Sequence, residues 1–408
     1  MKNCLKYAWV FLLFALSISG LSSCLNRWEG ETVESAYKLP EYPDPEYKFS
    51  RNGRSSVDYY ECALLDEPLQ IIYSTFLREA RINNEGSRNT VYNYFRQGLY
   101  GLVSPQSVVA SSVLHQADRA EVINDIEDCF KAIEKLSGLG TEAPNLTRNQ
   151  RASIGVAGYV GTHIGDDYIF FATQDGLVPA EYYRELVRGA IYLDLILNVH
   201  LASNLYAPGE LLTRHEHTYL PDGHNYTELE HHWDLAFGYY THFWQPLVSS
   251  INLPLQGKSR IQLYNAFALG RWALTNYRYD ILLEQLQLIR IELSKVVAVR
   301  ALQLLQGNIT MANYREEPEN ALFFLSQGVG ALYSLQFACD KEGQPLFSYS
   351  EVKAMQEQLL AGNGLWDRDQ LIGSDGNTGL LHTITKEVAH RFEPVSYTHL
   401  TLPTTPYV

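Results

Sequence analysis

The chain has 408 residues, of which 46% are hydrophobic and 19% charged, the balance of a globular protein with enough length for a large core rather than of a disordered one. Its formal charge of −14 excludes nucleic acid as a partner and argues against direct adhesion to anionic lipid. An acidic body is compatible with cation capture, although acidic surfaces more often confer solubility.

The N-terminus carries a targeting pattern. Lys2 and Lys6 precede Tyr7–Gly20, an uncharged apolar run shorter than the ~20 residues a membrane helix needs, so it reads as a secretory signal. Leu21-Ser22-Ser23-Cys24 then resembles the bacterial lipoprotein box, in which the thiol is lipidated and heads the mature chain. Residues 1–23 are expected to leave, and Cys24 to join the body to a lipid bilayer. Losing Lys2 and Lys6 takes the charge from −14 to −16. Residues 24–50 read as the lipidated cysteine and a flexible tether, polar and carrying Pro40, Pro43 and Pro45, with a reach of roughly 85 Å at ~3.3 Å per residue. Tyr42, Tyr47 and Phe49 give it the means to pack on the body instead.

From residue 51 to 394 the periodicities are helical. Leu69, Ile72 and Phe76 share a face, with Pro68 acceptable if it lies in the first turn. Val122, Ile126, Cys129, Ile133 and Leu136 form a second stripe. Gly161-Thr162-His163-Ile164-Gly165-Asp166 reads as a loop with a satisfied histidine, and Tyr168–Thr173 as a short strand. Pro179 is suited to start a helix continued by Tyr182, Leu186, Ile191, Leu195 and Val199. Leu282, Leu286, Ile289, Leu293 and Val296 make the clearest seam, and Ile281, Leu288 and Ile291 spread apolar surface around it, as in the middle of a bundle. Gly362-Asn363-Gly364 is a helix stop. The fold class is all-α.

The densest polar-aromatic stretch is Arg214–Trp244, with six of the twelve histidines. From Tyr226 onward it reads as a helix on which Glu228, His231, His232, Leu235, Tyr239 and His242 fall on one side. Glu228 and His232 stand four apart, where two side chains can converge on one ion, and imidazole with carboxylate suits iron, zinc or copper. The metal candidates are therefore Glu228, His231, His232 and His242, with Asp234 and Tyr239 as lining residues. Adjacent His231 and His232 point about 100° apart, and Trp233, Phe237, Tyr240, Phe243 and Trp244 suit a packed helix. Packing, metal or haem binding, and organic-ligand binding all remain open for this helix. His215-Glu216-His217 lies before a turn at Pro221-Asp222-Gly223.

Cys4 leaves with the signal and Cys24 is the anchor, so Cys62, Cys129 and Cys339 remain, read as buried free thiols in preference to one disulfide plus a spare. There is no His-Glu-x-x-His, Gly-x-Ser-x-Gly or Walker A pattern. Gly138-Leu139-Gly140 and Gly328-Val329-Gly330 lack the setting of a phosphate loop. Val395–Thr405 back-translates to a sequence beginning GTC TCT TAT ACA CAT CTG, which resembles read-through into a transposase sequencing adapter. Residues 395–408 are therefore read as a non-native tail, and His399 is left out of any site.

His232-Trp233-Asp234-Leu235-Ala236-Phe237-Gly238-Tyr239 resembles the core motif of an uncharacterised bacterial lipoprotein family related to imelysins, with Ala331–Phe337 and Gly362–Asp367 similar to its later landmarks. The resemblance implies an all-α, imelysin-like bundle, in one body or two helical lobes, on a bacterial membrane. Imelysins carry Gly-x-His-x-x-Glu and are linked to iron uptake; the nearest match here, Gly161–Asp166, ends in Asp. The expected role is a membrane-anchored, non-catalytic lipoprotein of the cell envelope, facing periplasm or exterior, that binds a metal ion or haem. The expected cofactor is iron, zinc or haem, and the partner is the bilayer through Cys24. The alternative is a glycan- or peptide-binding surface lipoprotein, suggested by the 28 tyrosines. A metallopeptidase is disfavoured because no motif supplies a general base beside an open metal position.

Overall fold

The computed structural model describes residues 46–78, 85–136, 150–160, 170–244, 254–307, 310–311, 314, 318–374 and 378–392. The segment read as a signal, Cys24, most of the expected tether, His163, Asp166 and residues 395–408 lie outside these residues. The chain divides between Tyr47 and Lys48, and every element named below belongs to the second unit.

That unit is all-α. Its helices are α1 (Glu61–Ile71), α2 (Glu85–Gln97), α3 (Pro105–Val108), α4 (Arg119–Leu136), α5 (Pro179–Val187), α6 (Glu210–Glu216), α7 (Glu228–Tyr239), α8 (Pro254–Thr275), α9 (Tyr279–Gln306), α10 (Pro318–Ser334), α11 (Tyr349–Leu360), α12 (Arg368–Ile372) and α13 (Leu380–Arg391). Two small antiparallel hairpins accompany them: β1 (Ser50–Arg51) with β2 (Arg54–Ser55), and β3 (Gly158–Val160) with β4 (Phe170–Ala172). The strand expected over Tyr168–Thr173 is thus β4, paired with a partner that periodicity did not suggest. The hairpin at Ser50 also makes the end of the expected tether part of the folded body.

The apolar stripes are buried as their spacing requires. Val122, Ile126, Cys129, Ile133 and Leu136 of α4 all face the core, as do Leu282, Leu286, Ile289, Leu293 and Val296 of α9. Packing closes a ring: α5 lies on α10, α10 on α9, α9 on α8, α8 on α7, and α7 on the continuation of α5. The α5–α10 crossing is close because its residues are small. A Cβ on Gly330 would stand 2.5 Å from the Tyr182 carbonyl oxygen, and the Ser334 hydroxyl donates to the Glu185 carbonyl at 2.8 Å. The segment from Pro179 to Leu205 is long and apolar enough to cross a membrane, but 78% of its apolar window is buried in this bundle. It is the core helix.

Three helices change pitch. α1 continues as a wider π-helix over Ile72–Arg78, α5 over Arg188–His200 and α7 over Tyr240–Trp244. In α5 the widened run lasts 13 residues and ends with Leu201 N–H donating to the Ile196 carbonyl, five residues back, at 3.0 Å. Such turns are rare, and they concentrate at functional sites. Pro68 sits deep inside α1 rather than in its first turn. It cannot donate to the preceding turn, and α1 widens four residues later.

Candidate functional site

α7 starts where its sequence caps it. Thr227 Oγ accepts from the Glu230 N–H at 3.3 Å and Glu230 Oε2 accepts from the Thr227 N–H at 2.8 Å, a reciprocal box that satisfies two orphan donors. The Thr227 hydroxyl also lies 2.6 Å from Nδ1 of the buried His215, whose Nε2 is 3.0 Å from the Leu274 carbonyl. A carbonyl only accepts, so Nε2 carries the proton and Nδ1 accepts from Thr227. Burial holds this imidazole below its usual range.

The metal candidates on α7 do not converge. Glu228 is exposed and pairs with Arg214 at 3.3 Å. His231 stacks on Tyr226 with ring centroids 4.4 Å apart and donates through Nδ1 to the Asp58 carbonyl at 3.1 Å. His232 turns the other way, its Nδ1 lying 3.0 Å from Nδ1 of His200 at the end of α5. His242 lies in the widened continuation, exposed. Among the described residues no group of three or more His, Cys, Asp or Glu side chains is placed to hold an ion. The reason is the helix period: neighbours 100° apart face different elements, and each polar group meets a protein partner first. His200 closes an apolar run, and no spacing in the sequence links it to His232.

The expected lining residues, Asp234 and Tyr239, both have protein partners. Asp234 is buried, its Oδ1 2.9 Å from Nε of Arg271, which also donates to Glu230 Oε1 at 2.9 Å and to the Ser56 carbonyl at 2.9 Å. Burial raises the Glu230 carboxyl, but Arg271 and Arg51 outweigh it and hold it at about 2. Tyr239 is buried and stacks on His200. Trp233 donates to the Phe267 carbonyl at 2.8 Å, and Phe237 meets the rings of Tyr59, Tyr264 and Phe267. The motif from His232 to Tyr239 therefore joins α7 to α8, α1 and α5.

Where the three widened helices meet there is a cavity of about 160 Å³, lined by Gln70, Tyr73, Arg184, Arg188, Tyr192 and His242 among others. Arg184 and Arg188 stand one turn apart on α5, so both guanidinium groups reach it. Arg184 pairs with the buried Glu181 at 3.0 Å, and Arg188 and Arg300 both pair with the buried Glu185. The Tyr73 hydroxyl donates to Glu181 at 2.7 Å, and burial together with the Glu181 charge pushes it up to about 12. The two carboxylates diverge. Burial holds Glu181 above the usual range despite Arg184, whereas three arginines overcome burial at Glu185 and hold it at about 2. Burial also raises Asp66, which accepts from Tyr192. Tyr183 borders the cavity, and its hydroxyl is buried with no hydrogen-bond partner.

Two adjacent guanidinium groups and phenol hydroxyls are the chemistry that grips a carboxylate in a fork. Arg184, Arg188 and Tyr183 were not foreseen, because the i,i+4 arginines are embedded among glutamates that read as an ordinary solvated face. His242 is the one candidate from α7 that lines this cavity. A family described as Domain of unknown function (DUF4856) matches residues 44–394. No curated protein and no solved structure matches.

Proposed function

The chain belongs to the DUF4856 family of unknown function, and we propose that it is a non-catalytic, imelysin-like binding protein of the bacterial cell envelope, the lipid tether resting on the sequence Leu21-Ser22-Ser23-Cys24. Its body takes a small carboxylate-bearing ligand in the cavity between α1, α5 and α7. One observation carries the ligand class: Arg184 and Arg188 present two guanidinium groups, one helical turn apart, to one cavity. Glu181 accounts for a linked proton. An anion seated against Arg184 competes with this carboxylate, which burial holds above the usual range; protonating it frees Arg184, so affinity rises as pH falls.

The test is calorimetric titration of the full chain with acetate, succinate and glycylglycine at two pH values. Binding of one of them, tighter at the lower pH and weakened about tenfold or more in Arg188→Gln, supports the reading. No heat with any probe, or equal heat in the variant, overturns it. The tether is tested separately, by Cys24→Ser. The parent should partition with membranes and the variant should not, because lipid chains supply the anchoring free energy.

A second reading, binding of iron or zinc, is favoured by the His200–His232 pair. Its 3.0 Å separation suits an N–H···N hydrogen bond, and equally two ligands each ~2.0–2.1 Å from one ion. Elemental analysis of the full chain, purified without a metal-affinity tag, decides it. About one equivalent of iron or zinc, lost in His232→Ala, supports metal binding, and a folded metal-free protein leaves the pair as a hydrogen bond. Haem binding would instead give a Soret band.

A further inference from the structure

A second concavity lies at the far end of the widened α5, and none of the α7 candidates lines it. It is a groove of about 490 Å³, bounded by the turn Ser111–Leu114, the segment Ala202–Leu205, and Gly343 and Gln344, with Arg290 of α9 in its wall. Arg290 is only 3% exposed. Its guanidinium donates to the Leu201 carbonyl at 2.6 Å, the Ser203 hydroxyl at 2.9 Å and the Lys341 carbonyl at 3.2 Å, while its Nε is buried with no partner. Among the described residues no carboxylate lies within ion-pair distance of it, and Asp340 and Glu342 act on it from farther off. The acidic groups of the covering turn are engaged elsewhere, Asp340 with the Gln344 N–H and Glu342 with Lys341. Asp194, bonded to the groove residues Ser112 and Asn198, accepts from the Ser112 N–H and hydroxyl and from the Asn198 amide, and His115 stands 3.8 Å from it.

A buried cation whose direct partners are all neutral acceptors is an unfavourable arrangement, because no counter-charge stands in contact with it and Asp340 and Glu342 act on it only at longer range. The other chemistry of the groove is apolar. Leu197, Leu205 and Leu114 line it, and Val113 on the rim is 89% exposed, an unusual position for a side chain that gains from burial. The cavity is also large enough for an organic molecule rather than an inorganic ion.

We propose that this groove binds an organic anion with an apolar body, the anionic group set against Arg290 and the chain along Leu114, Leu197 and Leu205. Burial holds the Arg290 guanidinium below its ordinary range, the direction that an incoming anion would reverse. The site is independent of the carboxylate cavity: no residue of Arg184, Arg188 or Tyr73 borders it.

The experiment is calorimetry on the full chain with octanoate, octanol and inorganic phosphate as probes. Octanoate is expected to bind, and octanol, which lacks the charge, and phosphate, which lacks the chain, to bind at least tenfold more weakly. Arg290→Gln should weaken octanoate on the order of thirtyfold or more, the loss expected when one member of a buried charge pair is removed. Arg290 also holds the end of α5, so a second pair of variants acts on the exposed rim. Val113→Glu should weaken octanoate and Val113→Lys should hold or strengthen it, with circular dichroism unchanged in both. Equal binding of octanol or of phosphate overturns the proposal. So does octanoate binding that is unchanged in a folded Arg290→Gln, or that is the same in both Val113 variants. Competition between octanoate and acetate would show one site rather than two and overturn its independence.

Discussion

Gly238 is where α7 and α1 touch. A Cβ there would stand 2.6 Å from Cβ of Tyr59 and 2.8 Å from Sγ of Cys62, distances at which the helices must separate. Replacing a helical glycine by alanine gains up to ~1 kcal/mol of propensity, but overpacking a filled contact costs ~1–3 kcal/mol. Gly238→Ala is therefore expected to be destabilising, read as a lower denaturant midpoint with an unchanged slope; a stabilised variant would mean that the contact yields. Arg271 is the stronger case. It is buried with both of its carboxylate partners, so Arg271→Gln removes the guanidinium that joins Glu230 to Asp234 and leaves Glu230 with Arg51 at 2.9 Å as its cation. The expected loss is ~3–5 kcal/mol, measured by equilibrium unfolding, and Asp234→Asn should cost less because the guanidinium keeps Glu230. The motif around Trp233 was legible as a helix, but its purpose was not. Arg271, the residue that completes it, sits 37 positions away on a helix whose charges show no pattern.

At the scale of elements, the stripes of α4 and α9 were legible because a helix that buries one face must repeat every three or four residues. The π segments were not, since the same apolar residues fill a wide turn as well as a narrow one. Nor was the His200–His232 pair, which depends on two helices being neighbours. That pair predicts a pH dependence. Both imidazoles are held below the ordinary range, by burial first and then by neighbouring histidines. The unfolded chain takes up protons near pH 6.5 while the folded chain resists until lower pH, so stability is full above that value and falls on acidification. His115, His215 and His231 shift in the same direction. The melting temperature should drop between about pH 7 and pH 5, and less steeply in the double variant His200→Gln, His232→Gln. A flat profile in the parent would show that the folded pair accepts the proton.

For the molecule as a whole, the acid limb continues through the carboxylates. Glu185 and Glu230 are held at about 2 in the folded state, so the stability they contribute is present above the ordinary carboxylate range and disappears as pH falls toward 2. Glu181 and Asp66 shift upward and act with the opposite sign, so they soften this limb. The all-α class was readable from the chain as a whole, whereas the order of the ring was not, because which stripe meets which is decided by non-local packing. The three described thiols, Cys62, Cys129 and Cys339, are free and buried, and burial raises each of them above the ordinary thiol range. They sit on α1, on α4 and just beyond α10, in separate neighbourhoods of the bundle. A thiol reagent can reach them only when the local structure opens. The protein thus carries three internal clocks, and the order in which they react would time, without any engineered label, which part of the bundle breathes first.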